Sequence, residues 1–89
     1  MTLNFPNPTR SFDEKRNAVG FVGHVGVFEI RFFVEAGALA DDAAEGRELS
    51  EATYLSAFDR LRANIHDAAR VAYSHKRLAS YTLSAADLR

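Results

Sequence analysis

The segment AVGFVGHVGVFEI (residues 18–30) decides the fold, because it combines alternating apolar residues with a glycine at every third position. If the chain reverses at Val25 and Gly26, its side chains alternate between the two faces of a β-hairpin. One face then holds only apolar residues, namely Val19, Phe21, Phe28, Ile30, Phe32 and Val34. The opposite face holds Val22, His24, Glu29 and Arg31. The segment therefore predicts a hairpin with one buried face.

In this register the two strand glycines have packing roles. Gly23 lies opposite Phe28 and Gly20 lies opposite Arg31, so each glycine leaves room for a larger cross-strand partner. A phosphate-binding loop needs a different glycine spacing and a helix after it. Here the spacing is G-x-x-G-x-x-G and a strand follows. We therefore interpret the glycines as structural, with Gly26 in the turn.

The second part of the chain predicts one long amphipathic helix. Ser50 is a suitable N-cap, Glu51 adds negative charge to the first turn, and Leu49 precedes the cap as a hydrophobic staple. Apolar residues then recur at steps of three and four, in a stripe made of Tyr54, Leu55, Phe58, Leu61, Ile65, Ala68, Ala69, Ala72 and Tyr73. Polar residues, including His66 and Arg70, occupy the remaining surface. The stripe is expected to face the sheet, and the helix to end near residues 75–77.

Shorter segments complete the fold. Residues 10–13 predict a strand with Phe12 inward, residues 36–42 at most one short helix, and residues 80–84 a last strand before a capping box at Ser84 and Asp87. We expect one domain over residues 1–89. Its fold class is α+β, a two-layer arrangement with a mostly antiparallel sheet, the order β-β-β-α-α-β and one long helix across one face.

Composition excludes several classes of function. The chain contains no cysteine, and its formal net charge is -1. Disulfides and thiolate metal sites are therefore excluded, and no global field attracts nucleic acid. No apolar stretch reaches membrane-spanning length, and the residues after Met1 lack a signal-peptide pattern. We expect a soluble cytoplasmic protein without a membrane partner.

No motif for catalysis or cofactor binding is present. His24, His66 and His75 lack the spacing of a helical metal pair, and no serine lies in a nucleophile-elbow pattern. The acidic run of Asp41, Asp42, Glu45 and Glu48 lacks the ligand order of a calcium loop, so we interpret it as solvated. We expect no catalytic residues, no metal, no cofactor and no enzyme activity.

Three segments carry a resemblance to a known family. They are FPNPTRSFDEKRNAVGFVGHVGVFEIRFFVEAGAL, LSAFDRLRANIHDAARVAYSH and SYTLSAADL, which together cover nearly the whole chain. Their order resembles the family of short bacterial proteins called domain of unknown function 1488. Val25 and Ser80 depart from the pattern of that family. The resemblance implies a small mixed α/β fold and supplies no catalytic residues.

Two surfaces are candidates for binding. Val22, Val27 and Phe33 lie on the second face of the hairpin or at its rim, and form an exposed apolar patch unless residues 3–5 cover them. Such a patch predicts a regulatory or protein-interaction module that binds another protein or self-associates as a homodimer.

The alternative is weak nucleic-acid binding at the end of the long helix. Arg70, His75, Lys76 and Arg77 form a basic cluster near Tyr73 and Tyr81, and such clusters hold phosphates and stack bases. In the simpler interpretation both tyrosines face the core and the cations complement the helix dipole. We favour that interpretation and a protein partner.

Overall fold

The computed structural model of the protein describes residues 2–39 and 50–88. Four strands form one sheet in the order β1-β2-β3-β4, with β1 at Arg10–Asp13, β2 at Ala18–Val25, β3 at Phe28–Glu35 and β4 at Ser80–Leu83. Strands β1 to β3 are antiparallel, and β4 runs parallel to β3. The helices are α1 at Ala36–Leu39, α2 at Glu51–Arg60 and α3 at Arg62–His75, followed by a 3-10 turn at Ala85–Leu88. The predicted α+β class and mostly antiparallel sheet are confirmed.

The hairpin turn differs from the predicted one. Gly26 and Val27 are its two central residues, and Val25 pairs with Phe28. Gly26 has a φ of 60°, as a type II′ turn requires at its first central position. The predicted pairs are therefore wrong by two residues along β3. The predicted faces are still correct, because a two-residue shift returns every side chain to the same side of the sheet.

The helix-facing side of the hairpin is buried only in part. Val19, Phe21, Phe32 and Val34 are buried, as predicted. Ile30 is partly buried and Phe28 is 64% exposed, so the prediction of a fully buried face is wrong near the turn. These two residues lie beyond the part of β3 that pairs with β4, which begins at Arg31.

The long helix forms with one interruption. The Ser50 hydroxyl accepts a hydrogen bond from the Thr53 N–H, which confirms the predicted N-cap. Leu61 has a φ of -100° and separates α2 from α3. Hydrogen bonds from the Leu61 N–H to Ala57 and from the Ile65 N–H to Leu61 continue across the break. Phe58, Ile65 and Ala69 are fully buried, so the predicted stripe faces the sheet.

The N-terminal segment packs on the helix-facing side of the sheet. Asn4 and His24 exchange two backbone hydrogen bonds of 2.9 and 2.7 Å, which place the segment beside the end of β2. Gly23 provides the space, since a Cβ built there would lie 2.8 Å from Leu3 Cδ1 and 2.9 Å from Phe5 Cε1. Gly23 thus has a packing role, but it makes room for the N-terminal segment instead of the predicted cross-strand partner, and Ile30 lies opposite it in place of Phe28. Residues 3–5 therefore do not cover the second face of the hairpin.

The last strand is fixed by side-chain hydrogen bonds at both ends. Tyr81 and Leu83 are buried, as predicted. The Tyr81 hydroxyl accepts from the Leu78 N–H and donates to the Lys76 carbonyl, which joins β4 to the end of α3. After β4, the Asp87 carboxylate accepts from the Ser84 N–H at 2.8 Å, which is one of the two bonds of the predicted capping box. The Asp87 N–H donates to the Ser84 carbonyl instead of the Ser84 hydroxyl.

Some sequence predictions fall on residues that the structure does not describe. These are the acidic run of Asp41, Asp42, Glu45 and Glu48, the staple residue Leu49 and the continuation of α1 to Asp42. Among the described residues, no helix has both the length and the apolar character needed to cross a membrane.

Candidate functional site

The side of the sheet that points away from the helices, which we call the open face, is built by alternate residues of all four strands. Its members are Ser11, Asp13, Ala18, Gly20, Val22, His24, Glu29, Arg31, Phe33, Glu35, Ser80 and Thr82. Of these residues only Ala18, at the start of β2, is buried, whereas the helix-facing side contains most of the core. The described helices and residues 3–5 thus leave most of the open face uncovered, although Asn7 and Thr9 reach it where they line a pocket.

A pocket of about 360 Å³ lies on the open face above Gly20. Gly20, which lies between β1 and β3, is one of the residues that line the pocket. Gly20 lies opposite Phe33, and a Cβ built on Gly20 would lie 3.2 Å from Phe33 Cε1. The Phe33 ring therefore leans across the glycine. The packing role of Gly20 is confirmed, but its predicted partner Arg31 is wrong.

Arg16, in the turn between β1 and β2, covers part of the Phe33 ring. Its guanidinium carbon lies 4.3 Å from the ring centroid, within the range of a cation–π contact. Arg16 Nε also lies 3.5 Å from Asp13 Oδ2. These two contacts hold a positive charge at the rim of the pocket.

Two residues of opposite charge flank Phe33 on β3. Arg31 and Glu35 lie two positions before and after Phe33, so all three side chains project from the same face. Both charged residues are exposed, and neither forms an ion pair with a described residue. The open face therefore offers one aromatic side chain between two charges that form no ion pair within residues 2–39 and 50–88.

The structure brings together two of the three residues predicted to form an interaction surface. Val22 and Phe33 both line the pocket. Val27 lies instead in the hairpin turn, where it is 92% exposed and outside the pocket. The contribution of Gly20 was not predicted, because the incorrect register placed Arg31 opposite Gly20 in place of Phe33. The contribution of Arg16 depends on a contact between a turn and β3 that the sequence pattern does not indicate.

The predicted nucleic-acid patch is largely occupied by intramolecular contacts. Arg70 lies 3.4 Å from Asp67 and donates to the Leu3 carbonyl. Arg77 lies 4.1 Å above the Tyr73 ring. Tyr81 is buried and stacks on Phe32 with 5.1 Å between centroids. His75 and Lys76 are exposed at the end of α3. The tyrosines thus belong to the protein interior and its edge, as in the simpler interpretation.

One charged cluster ties a strand to the helices on the helix side. Asp59 binds Arg10 of β1 through two hydrogen bonds of 2.9 and 2.8 Å, and also accepts from Arg62 at 2.7 Å. These arginines hold the pKa of the Asp59 carboxyl below its usual range, and Asp59 raises the pKa of Arg10. Asp59 therefore links β1 to the junction of α2 and α3.

His66, predicted on the solvent side of the helix, is half-buried under the N-terminal segment. Its ring stacks on Phe5 with 4.0 Å between centroids and an interplanar angle of 8°. Burial lowers the pKa of His66, and the nearby charges of Arg62 and Arg70 lower it further. His66 is thus a packing residue of the N-terminal segment.

Within residues 2–39 and 50–88, no three histidine or carboxylate side chains cluster closely enough to hold a metal ion. No buried side-chain nitrogen or oxygen in these ranges lacks a hydrogen-bond partner. The polar chemistry of the described residues is therefore concentrated at the surface.

The comparison with known families agrees with the resemblance noted from the sequence. The family model described as "Protein of unknown function (DUF1488)" matches residues 3–84. No curated protein and no solved structure shows a significant match. The matched range runs from the N-terminal segment on the sheet to the end of β4, and so includes every strand of the fold. The chain therefore belongs to the DUF1488 family of proteins of unknown function.

Proposed function

We propose that this protein is a small, non-catalytic protein-interaction module of the cytoplasm, and that its open face binds a protein partner. The observation that carries the proposal is the position of the N-terminal segment. Leu3 and Phe5 pack between the sheet and α3, which leaves Val22 and Phe33 uncovered on the opposite side. A sheet face with an accessible aromatic residue, a recess and charges that no described residue pairs has the composition of an interface.

The composition of the pocket supports binding over catalysis. The ionisable residues that line it are three arginines and a single carboxylate, Asp13. Arg10 is already paired with Asp59, and Arg16 with Asp13. The described lining contains no histidine and no second carboxylate, the groups that most often transfer protons in active sites. An aromatic residue and arginines are instead the residue types enriched at protein interfaces.

The proposal is tested by affinity capture from a native cell extract with three immobilised proteins. They are the wild type, Phe33→Ser and the matched control Val71→Ser. Val71 is 55% exposed on α3, outside the open face. The proteins captured from the extract are compared with nucleic acid retained and after nuclease digestion. Circular dichroism of each variant in solution, before immobilisation, checks that its fold is intact.

The proposal expects a protein that the wild type and Val71→Ser retain and that Phe33→Ser loses, with or without nuclease. Arg31→Glu, which changes an exposed residue, provides a second open-face variant if Phe33→Ser lowers stability. Capture that disappears after nuclease digestion, or that all variants share equally, overturns the proposal.

A further inference from the structure

The charge pattern along β3 indicates what the open face contacts. Its outward residues are Glu29, Arg31, Phe33 and Glu35, so an apolar ring lies between charges of opposite sign. Arg31 and Glu35 have no ion-pair partner among the described residues. Interfaces place such charges opposite complementary ones. A surface that carries both signs symmetrically around an aromatic residue can supply that complement to itself.

The width of the sheet identifies the centre of such a contact. Strand β4 pairs only with Arg31–Val34 of β3, and β1 pairs only with Ala18–Phe21 of β2. The sheet is therefore four strands wide around Phe33 and narrows to the β2–β3 ribbon near Ile30. A face-to-face contact centred on Phe33 buries the widest part of the open face, including Gly20 and its pocket.

We infer that the partner of the open face is a second copy of this chain, related by a two-fold axis that passes over β3 at Phe33. This inference rests on the proposed function. The axis lies in the interface, at right angles to the strands, so the two β3 strands pack face to face and antiparallel. Phe33 then meets Phe33 of the second copy. Arg31 of each copy lies opposite Glu35 of the other, and symmetry repeats this pair. Sheets stacked about 10 Å apart are within the combined reach of these side chains.

Other positions of the axis fit less well. An axis at Arg31 opposes Arg31 to itself, and an axis at Phe32 opposes Glu29 to Glu35, so both place like charges together. An axis at Ile30 pairs Arg31 with Glu29 of the second copy. It also lays the wide part of one sheet over the narrow hairpin tip of the other, which buries less surface. Only the axis at Phe33 combines charge complementarity with the larger contact.

Sedimentation equilibrium of purified variants tests the inference. We expect the wild type to dimerise and Arg31→Glu to raise the dissociation constant at least about tenfold, because two attractive contacts become repulsive. The double variant Arg31→Glu/Glu35→Arg should return within about threefold of the wild-type value. Arg31→Glu/Glu29→Arg should not. Arg60→Glu, an exposed change on α2, is the control and should leave the dissociation constant unchanged.

Three outcomes overturn the inference. A wild type that stays monomeric up to about 1 mM excludes the second copy. So does a dimer that is insensitive to Arg31→Glu, or one that Glu29→Arg restores in place of Glu35→Arg. A monomeric wild type that still shows Phe33-dependent capture from the extract leaves the proposed function standing with a different protein partner.

Discussion

Gly20 lies directly opposite Phe33, and the missing side chain of the glycine leaves room for the Phe33 ring on the open face, where both residues line the pocket. Gly23, three residues further along β2, has the same relationship with Leu3 and Phe5 on the helix side. The two glycines thus accommodate aromatic side chains on opposite sides of one strand. Their substitutions are expected to have different consequences.

Gly23→Ala should lower the free energy of unfolding by about 1–3 kcal/mol, because its Cβ would lie under 3 Å from both Leu3 and Phe5. Gly20→Ala should change it by less than about 1 kcal/mol, since the gain in chain stiffness offsets a small shift of the Phe33 ring. Gly37→Ala in α1 should stabilise by about 0.5–1 kcal/mol, because beyond its own helix backbone and chain neighbours no described residue lies within 4 Å of the added Cβ. Urea unfolding measures all three. Equal effects for Gly20→Ala and Gly23→Ala would contradict the placement of the N-terminal segment.

His66 should make stability depend on pH. Its pKa in the folded protein is below the ordinary value of 6.5, so the unfolded chain binds the proton more tightly. The contribution of His66 to the free energy of unfolding is fully present above pH 6.5 and is lost as the pH falls through the lowered pKa. His66→Phe keeps an aromatic ring on Phe5 and should flatten the dependence between about pH 7.5 and about pH 5.5. His75→Phe, at an exposed position, should retain it, and an unchanged slope in His66→Phe would be the opposing result.

The Tyr81 hydroxyl should stabilise the junction of α3 and β4. Tyr81→Phe removes the bonds to the Leu78 N–H and the Lys76 carbonyl, and should cost about 1–3 kcal/mol in thermal or urea unfolding. Tyr73→Phe is the matched control, because it removes a hydroxyl that has no hydrogen-bond partner among the described residues. Equal losses in the two variants would show that the junction does not depend on these bonds.

The end of α3 should bind nucleic acid weakly at most. Arg70 and Arg77 are engaged by neighbouring side chains, and Tyr81 is buried. Fluorescence anisotropy with labelled single-stranded RNA and DNA at low salt should therefore give flat titrations. Binding that weakens steeply with salt and is lost in Lys76→Glu would contradict this expectation and support the alternative.

The apolar pattern predicted the elements of this fold better than their register. Turns centred at Val25–Gly26 and at Gly26–Val27 place the same side chains on the same faces, so alternation cannot distinguish them. The choice depends on Gly26 taking the first turn position, where its positive φ is required. The break at Leu61 also had no signal, because the helical hydrogen bonds and the apolar stripe continue through it.

The candidate site was predicted only in part, because some of its residues follow from strand alternation and others depend on register and long-range packing. Phe33 and Val22 followed from strand alternation, which is local. Which face of the hairpin residues 3–5 cover depended on long-range packing. Gly23 was the available signal for the helix-facing side, because a glycine on a buried face implies that another side chain fills its place. The recess at Gly20 depended on register, and so did the grouping of Arg16, Phe33 and Arg31 around it.

The most direct test of the open face as an interface is site-specific photo-crosslinking in living cells. A benzophenone-bearing phenylalanine analogue at position 33 replaces an aromatic residue by an aromatic one, and the same analogue at the exposed position 71 on α3 is the control. The open face as interface predicts a protein adduct from position 33 and none from position 71. An adduct from position 71 alone, or none from position 33 in a folded protein, would contradict it.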